Sequence, residues 1–491
     1  MNDNDSPLKA LQSGPVHLTG IKGTGMAALA EVLHARGITL SGSDGAETFY
    51  TDELLAQIGV IPRVGFAPEH VPPQTQLLVY SAAYDETNPE RQVARKRGLP
   101  QLSYFQALGL LSRDRPTLCV SGVHGKTSTT AMIGTMIRGT NVAATVVVGS
   151  AVPSFGGSAT LRQGQDVLVV EACEYRRHFL EFTPAVALVT SVEWDHQDYY
   201  RTADEMAAAF REFAQQILPG GSLVYCADDP GARALAAGIQ TKRSDIRMVP
   251  YGFQAPPPWR AVMKGVGNGC QTFTLGEDSA TTPAELWRVS LPGEHMVVNA
   301  AGAVAALHEM MRYTPGASLP DTASWRDSLL EYRGTRRRSE VVGDVAGVLV
   351  IDDYAHHPTA IKTTLEGFAS FYPERRIVVD FMSHTYSRTT ALLPEFASAF
   401  AAADEVVLND IYASAREDRQ SGVDGPGFYR AVAAHHGNVR YYPDFHNAAA
   451  YLLETLKPGD LLVTMGAGDN FRVGQTVVAS LKHRIEEGRR A

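Results

Sequence analysis

The segment Gly122-Val123-His124-Gly125-Lys126-Thr127 constrains this chain more than any other. It is entered from the apolar run Thr117-Leu118-Cys119-Val120 and followed by Ser128-Thr129-Thr130, so a strand runs into a glycine bend that opens a helix. Such a bend aims backbone N–H groups and a helix N-terminus at phosphate oxygens. Lys126 is placed to neutralise the β/γ-phosphates of a nucleotide, and the Thr127 hydroxyl to ligate Mg²⁺. The loop is shorter than Gly-x-x-x-x-Gly-Lys-Ser/Thr, because Val120 stands where the first glycine of that pattern belongs. A Gly-Lys-Thr in an ordinary βα turn also arises by chance, so the surroundings decide its meaning.

At 491 residues the chain exceeds one hydrophobic core, and its length suggests about three domains. A net charge of −9 argues against a nucleic-acid or anionic-membrane surface, the basic run Arg336-Arg337-Arg338 being local. No apolar run is long enough to span a bilayer. The opening residues Met1-Asn2-Asp3-Asn4-Asp5 lack the basic and apolar regions of a signal peptide. Cys119, Cys173, Cys226 and Cys270 show neither metal-type pairing nor a disulfide framework. The expectation is a reduced cytoplasmic protein with no membrane insertion; its oligomeric state is left open.

Three segments, 1–113, 114–333 and 334–491, each read as strands alternating with helices, the pattern of α/β layers. The first predicts strands at 16–19, 38–41 and 77–80 and a helix over 26–36. The second predicts strands at 167–170 and 186–190 and a helix over 203–217. Residues 252–292, rich in Gly, Pro and Thr, predict a meander or loops. The third predicts strands at 348–351, 377–379, 405–408 and 461–464 and a helix over 392–402.

Polar clusters follow several of these strands. Gly20-Ile21-Lys22-Gly23-Thr24-Gly25 forms a turn where backbone approaches a diphosphate, and Asp44 follows the next strand at a distance suited to a ribose hydroxyl. The glycine spacing differs from Gly-x-Gly-x-x-Gly, so a nicotinamide site is only weakly indicated. Glu171-Ala172-Cys173-Glu174 and Trp194-Asp195-His196-Gln197-Asp198 follow two middle strands, where strand ends converge on the phosphate loop. His295 and Asn299, four apart, share a face if the helix starts early enough. Asp352-Asp353-Tyr354-Ala355-His356-His357-Pro358 and Ser383-His384-Thr385-Tyr386-Ser387-Arg388 supply imidazoles, a phenol and a guanidinium suited to carboxylate and phosphate.

Together these stretches, with the linker Gly334, Arg337 and Arg338, resemble the Mur ligases, the ATP-dependent amide-forming enzymes of peptidoglycan synthesis. The resemblance covers nearly the whole chain, in the family's order. It implies an α/β fold of three domains: a Rossmann-like UDP-substrate domain, a central ATPase domain with the phosphate loop, and a Rossmann-like C-terminal domain. Within the family, residues 20–26 and 384–389 look most like the branch that joins L-alanine to UDP-N-acetylmuramate. The recycling branch, which attaches an L-alanyl tripeptide to the same nucleotide, is the alternative.

The resemblance implies a role for each matching position. Gly122, Val123, His124, Gly125, Lys126, Thr127 and Ser128 would hold ATP phosphates, and His295 with Asn299 the adenine. Thr127, Glu171 and His196 would hold Mg²⁺, with Glu174 a rival to Glu171. Gly20, Lys22, Gly23, Thr24, Gly25, Asp44 and Ser81 would bind UDP-N-acetylmuramate. Tyr354, His356, His384 and Arg388 would surround L-alanine, and Lys126, His196, His384 and Arg388 would carry the chemistry. Lys22 and Cys173 depart from the residues usual in the family.

Overall fold

The computed structural model describes residues 5–490 apart from Asp198, Asn268, 277–284, 318–321, 414–421 and Ala467. Asp198, the last member of the 194–198 cluster, therefore lies outside the described residues. The first lobe is a parallel sheet of β1 (Val16–Thr19), β2 (Leu40–Asp44), β3 (Arg63–Val64), β4 (Leu77–Tyr80) and β5 (Gln101–Ser103), in the order β3-β2-β1-β4-β5. The helix after β1 begins at Thr24, two residues before the predicted start, and ends at His34. The second strand runs to Asp44, past the predicted 38–41, because Ser43 and Asp44 pair with Arg63 and Val64.

The middle lobe is a sheet of seven strands: β6 (Thr117–Ser121), β7 (Ala144–Val147), β8 (Thr160–Arg162), β9 (Val167–Glu171), β10 (Val186–Val189), β11 (Ser222–Cys226) and β12 (Arg247–Tyr251). Only β8, at the edge, is antiparallel. β6 lies between β10 and β9, and the strand order reverses around it. That reversal opens a crevice at the carboxyl end of β6, where a doubly wound sheet receives ligands. The predicted meander forms β13 (Ala261–Gly267), β14 (Cys270–Leu275) and β15 (Leu286–Val289), an antiparallel sheet. Its Phe273 and Trp287 are buried in the same apolar cluster as the small-residue helix Glu294–Tyr313.

The third lobe contains β16 (Glu340–Val345), β17 (Val348–Asp353), β18 (Arg376–Met382), β19 (Glu405–Leu408), β20 (Val439–Tyr441) and β21 (Asp460–Gly466), in the order β16-β17-β21-β18-β19-β20. The helix predicted over 392–402 forms as Leu393–Ser398, ending four residues early, and a separate short helix, Tyr386–Ala391, precedes it. Pro394 lies in the first turn of the second helix, where its missing N–H is tolerated, and Leu392, leaving helical geometry with ψ 23°, separates the two.

The cores do not follow the lobes one for one. A single apolar cluster runs from Leu11 and Leu33 in the first lobe to Val123, Phe179 and Phe210 in the second. Gly109 belongs to this seam: a Cβ there would lie 2.4 Å from the Glu181 carbonyl oxygen. Among the described residues, the third lobe's two clusters, one containing Phe381 and the other Val477, draw only on its own residues.

Candidate active site

The phosphate loop is built as the glycine pattern requires. Gly122 has φ 131° and Gly125 φ 81°, both in the left-handed region. A Cβ would come within 2.0 Å of Thr190 Oγ1 at the first position and 2.6 Å of Asn299 Oδ1 at the second. Ser191 pins the loop from β10's end: its carbonyl accepts the Val123 N–H at 3.2 Å and its hydroxyl the His124 N–H at 3.0 Å. The helix Lys126–Arg138 then begins on the loop, as expected.

Lys126 Nζ meets the Glu174 carboxylate at 2.9 and 2.8 Å, and His196 Nε2 lies 3.4 Å from the same group. Burial opposes both charges, but their mutual attraction prevails, holding Lys126 above and Glu174 below their ordinary values. Glu171 has different neighbours. It accepts the Thr127 hydroxyl at 2.9 Å and the Gly149 N–H at 2.7 Å. The two glutamates left open by the sequence thus divide the work, Glu171 facing the threonine and Glu174 the lysine. Thr127 and Glu171 bring together the kind of oxygen donors Mg²⁺ prefers, whereas His196, the third residue expected to hold the ion, sits on Glu174 instead.

The third lobe reaches into this crevice. Arg388 donates from Nε and Nη2 to Asp195 Oδ1 at 3.2 and 2.7 Å, and both residues are buried. Burial alone would raise the Asp195 carboxyl, yet Arg388, with His196 and His356, holds it far below the carboxylate range. His384 Nδ1 lies 3.5 Å from Arg388 Nη1, and its ring stacks on Tyr412 with centroids 5.8 Å apart. The His356 ring is 6.4 Å from His384 and 5.0 Å from Tyr354, so the four residues assigned to the amine form one group. Burial, reinforced by Arg388, pushes His356 well below the usual histidine value. Sequence spacing did not show that Asp195 is the partner of Arg388; its position one residue before His196, after a middle strand, was the available signal.

His295 and Asn299 do share a face, because the helix starts at Glu294. The His295 Nδ1 is buried without a hydrogen-bond partner, and burial lowers the ring to about 4. Both residues line the same crevice as His124, Lys126 and Thr127.

The first lobe's turn is differently arranged. Gly20, at φ 81°, passes so close to Tyr84 that a Cβ would lie 2.5 Å from the ring. Gly23 is open, while a Cβ on Gly25 would strike Tyr104 at 2.9 Å. Asp44 accepts N–H bonds from Lys22 and Gly45 at 2.7 and 2.8 Å and the Tyr84 hydroxyl at 3.2 Å. The Lys22 ammonium is 3.2 Å from Asp52 and donates to the Glu47 carbonyl at 2.8 Å. Thr24 Oγ1 takes the Tyr50 hydroxyl at 3.0 Å, and Ser81 Oγ accepts the Ala83 N–H at 3.4 Å.

Three α/β lobes gathered on a shortened phosphate loop, with an ion pair carried in from the third lobe, define a nucleotide-dependent enzyme class in which one lobe faces another across the phosphates. Family models agree with that geometry: "Mur ligase family, catalytic domain" matches residues 15–116, "Mur ligase middle domain" 120–307 and "Mur ligase, glutamate ligase domain" 337–468. The chain belongs to the Mur ligase family. It is 44% identical over 472 residues to the UDP-N-acetylmuramate–L-alanine ligase of Treponema pallidum (strain Nichols), covering 96% of this chain and 97% of that protein. It is 39% identical over 464 residues to the enzyme of that name from Desulfitobacterium hafniense, covering 94% and 99%. The crystal structure of UDP-N-acetylmuramate-alanine ligase from Thermotoga maritima matches with TM-score 0.77 at 22% identity, covering 96% of this chain and all of that one. No helix among the described residues is long and apolar enough to cross a membrane.

Proposed function

We propose that this enzyme joins L-alanine to the carboxylate of UDP-N-acetylmuramate with cleavage of ATP to ADP and phosphate, a step in building peptidoglycan precursors. The observation that carries the reading is 36–44% identity, over 94–96% of the chain, to relatives named for this reaction. The crevice is chemically suited to it. A carboxylate is a poor acyl donor, so the γ-phosphoryl group of ATP first bonds to its oxygen and ADP leaves. The alanine amine then attacks the acyl carbon, and phosphate departs with the bonding electrons as the amine loses its proton.

Catalysis of this kind rests on positioning and charge neutralisation. Lys126 would meet the transferring phosphoryl group, exchanging part of its contact with Glu174 for it. Thr127, Glu171 and His196 would hold Mg²⁺, which offsets phosphate charge when bound. His295 and Asn299 would receive the adenine; the unpartnered His295 Nδ1 supports that assignment. Arg388 would grip the alanine carboxylate in a fork, with Tyr354, His356 and His384 around the amine. The turn at 20–25, with Asp44 and Ser81, would hold the UDP moiety. Domains of 1–113, 114–333 and 334–491 fit this division. Incubation with UDP-N-acetylmuramate, ATP, Mg²⁺ and single amino acids, followed by weighing the nucleotide product, tests the reading. A mass gain of one alanine supports it; preference for the L-alanyl tripeptide, or release of AMP, refutes it.

A further inference from the structure

The phosphate loop has a second set of donors beside it. The loop's His124 is assigned to the nucleotide, but its ring faces another group: Nε2 stands 3.1 Å from Glu193 Oε2. The His124 and His357 ring centroids are 5.2 Å apart. One donor atom from each of His124, Glu193 and His357 lies within 4.8 Å of the other two. His357 is 4% exposed, and neither of its ring nitrogens has a hydrogen-bond partner. Leaving a buried polar group unsatisfied costs about 1–3 kcal/mol, so the ring's placement calls for a ligand.

We propose that His124, Glu193 and His357 form a binding site for a transition-metal cation of the Zn²⁺ type, joining the middle lobe to the third. Two imidazoles and one carboxylate with a fourth position open are a Zn²⁺ donor set, whereas Mg²⁺ prefers oxygen ligands throughout. Tetrahedral coordination at Zn–N and Zn–O lengths places ligand atoms about 3.3 Å apart. The His124–Glu193 pair already has nearly that spacing, and His357 closes the set by a side-chain movement of order 1 Å. The third lobe supplies outer support as well: the Thr359 hydroxyl donates to Glu193 Oε1 at 2.9 Å, leaving Oε2 for the cation. The site is distinct from the Thr127, Glu171 and His196 group. It is built from His124 in the loop and from His357, immediately before the helix Pro358–Phe371, so an occupied site clasps the crevice shut across the nucleotide's path.

Calorimetric titration of the full chain, free of nucleotide and Mg²⁺, with Zn²⁺ tests this directly, and Co²⁺ provides a visible-absorption readout of tetrahedral coordination. The expected result is one equivalent bound at micromolar strength or tighter and an intense Co²⁺ spectrum. Glu193→Gln and His357→Asn should each weaken Zn²⁺ binding by about tenfold or more. Should His357→Asn fail to fold, Glu193→Gln decides alone, its side chain being 37% exposed and replaceable without a cavity. Unchanged Zn²⁺ affinity in Glu193→Gln, or binding by the parent no tighter than millimolar, overturns the proposal.

Discussion

The turn of the first lobe and the crevice of the middle lobe are both glycine bends at the end of a central parallel strand, yet their charges are arranged in opposite ways. In the turn, Asp44 and Lys22 are satisfied by partners from the first lobe itself: two N–H groups and a tyrosine for the acid, Asp52 and a carbonyl for the ammonium. These residues shape the bend. In the crevice, Lys126 pairs with Glu174 and Asp195 with Arg388, partners 48 and 193 residues apart. The Asp195–Arg388 pair joins two separately anchored lobes, so it can exchange partners when a ligand arrives. The comparison teaches that a phosphate-binding bend can present backbone alone or backbone plus movable charge.

The largest effect should come from Lys126→Ala, which removes the cation the crevice holds against phosphate: turnover should fall about a thousandfold or more. Stability should also fall, by about 3–5 kcal/mol, because buried Glu174 loses its counter-ion. Lys126→Met combined with Glu174→Gln should recover the stability and none of the turnover. Thermal melts and steady-state rates on the three proteins check this, and a double variant that regains turnover would break the contrast.

Arg388→Ala should cut kcat/KM for L-alanine by about a hundredfold or more, with Arg388→Lys restoring only part, since lysine keeps the charge and loses the fork. Kinetics with L-alanine as the varied substrate measure both. Equal activity of the lysine variant and the parent would show that point charge alone suffices in the crevice.

A third arrangement sharpens the contrast. Asp380, fully buried in β18, is bonded by the neutral amide of Asn409 at 3.0 Å rather than by a cation. Burial raises its carboxyl to about 7. The native chain therefore holds this proton more tightly than the unfolded chain, and stability declines as pH rises from the ordinary Asp value through about 7. Asp380→Asn cannot ionise, so its stability relative to the parent should grow by a few kcal/mol between about pH 4 and about pH 8. Denaturant melts across that range read the difference; a constant offset would mean that Asp380 titrates normally.

Lys22→Ala should have the smallest effect. Its ammonium is buried but bonds a partly exposed Asp52, so the loss should be about 1–2 kcal/mol in stability and less than about fivefold in affinity for UDP-N-acetylmuramate. Calorimetry settles it, and a much larger loss of affinity would mean that the first lobe's turn also releases charge to its ligand.

Much of this was legible from the chain because strand ends announce themselves: an apolar run followed at once by polar residues. The phosphate loop, the turn at 20–25 and the clusters at 352–357 and 383–388 follow from that pattern, whereas the start of the helix carrying His295 and Asn299 is left open by it. Legibility failed where a partner was set by the fold rather than by spacing. Spacing placed Glu171 and Glu174 equally near the loop; only the fold gives one to Thr127 and the other to Lys126. Nothing local in Asp195 or Arg388 encodes their meeting, which depends on how the lobes dock. The helix expected over 392–402 starts at Leu393, with Pro394 in its first turn, but ends at Ser398, so its length and not its place differs from the expectation.

The continuous apolar seam between the first two lobes, with no equivalent to the third among the described residues, has a consequence for how the molecule comes apart. Elements that share a core melt together, whereas elements joined through polar contacts separate at lower free energy. The three lobes of the architecture should therefore behave as two cooperative units, residues up to the Gly334 linker unfolding together and the remainder separately. Denaturation should show two transitions instead of three, and a nick in the linker should release a C-terminal fragment that keeps its own sheet.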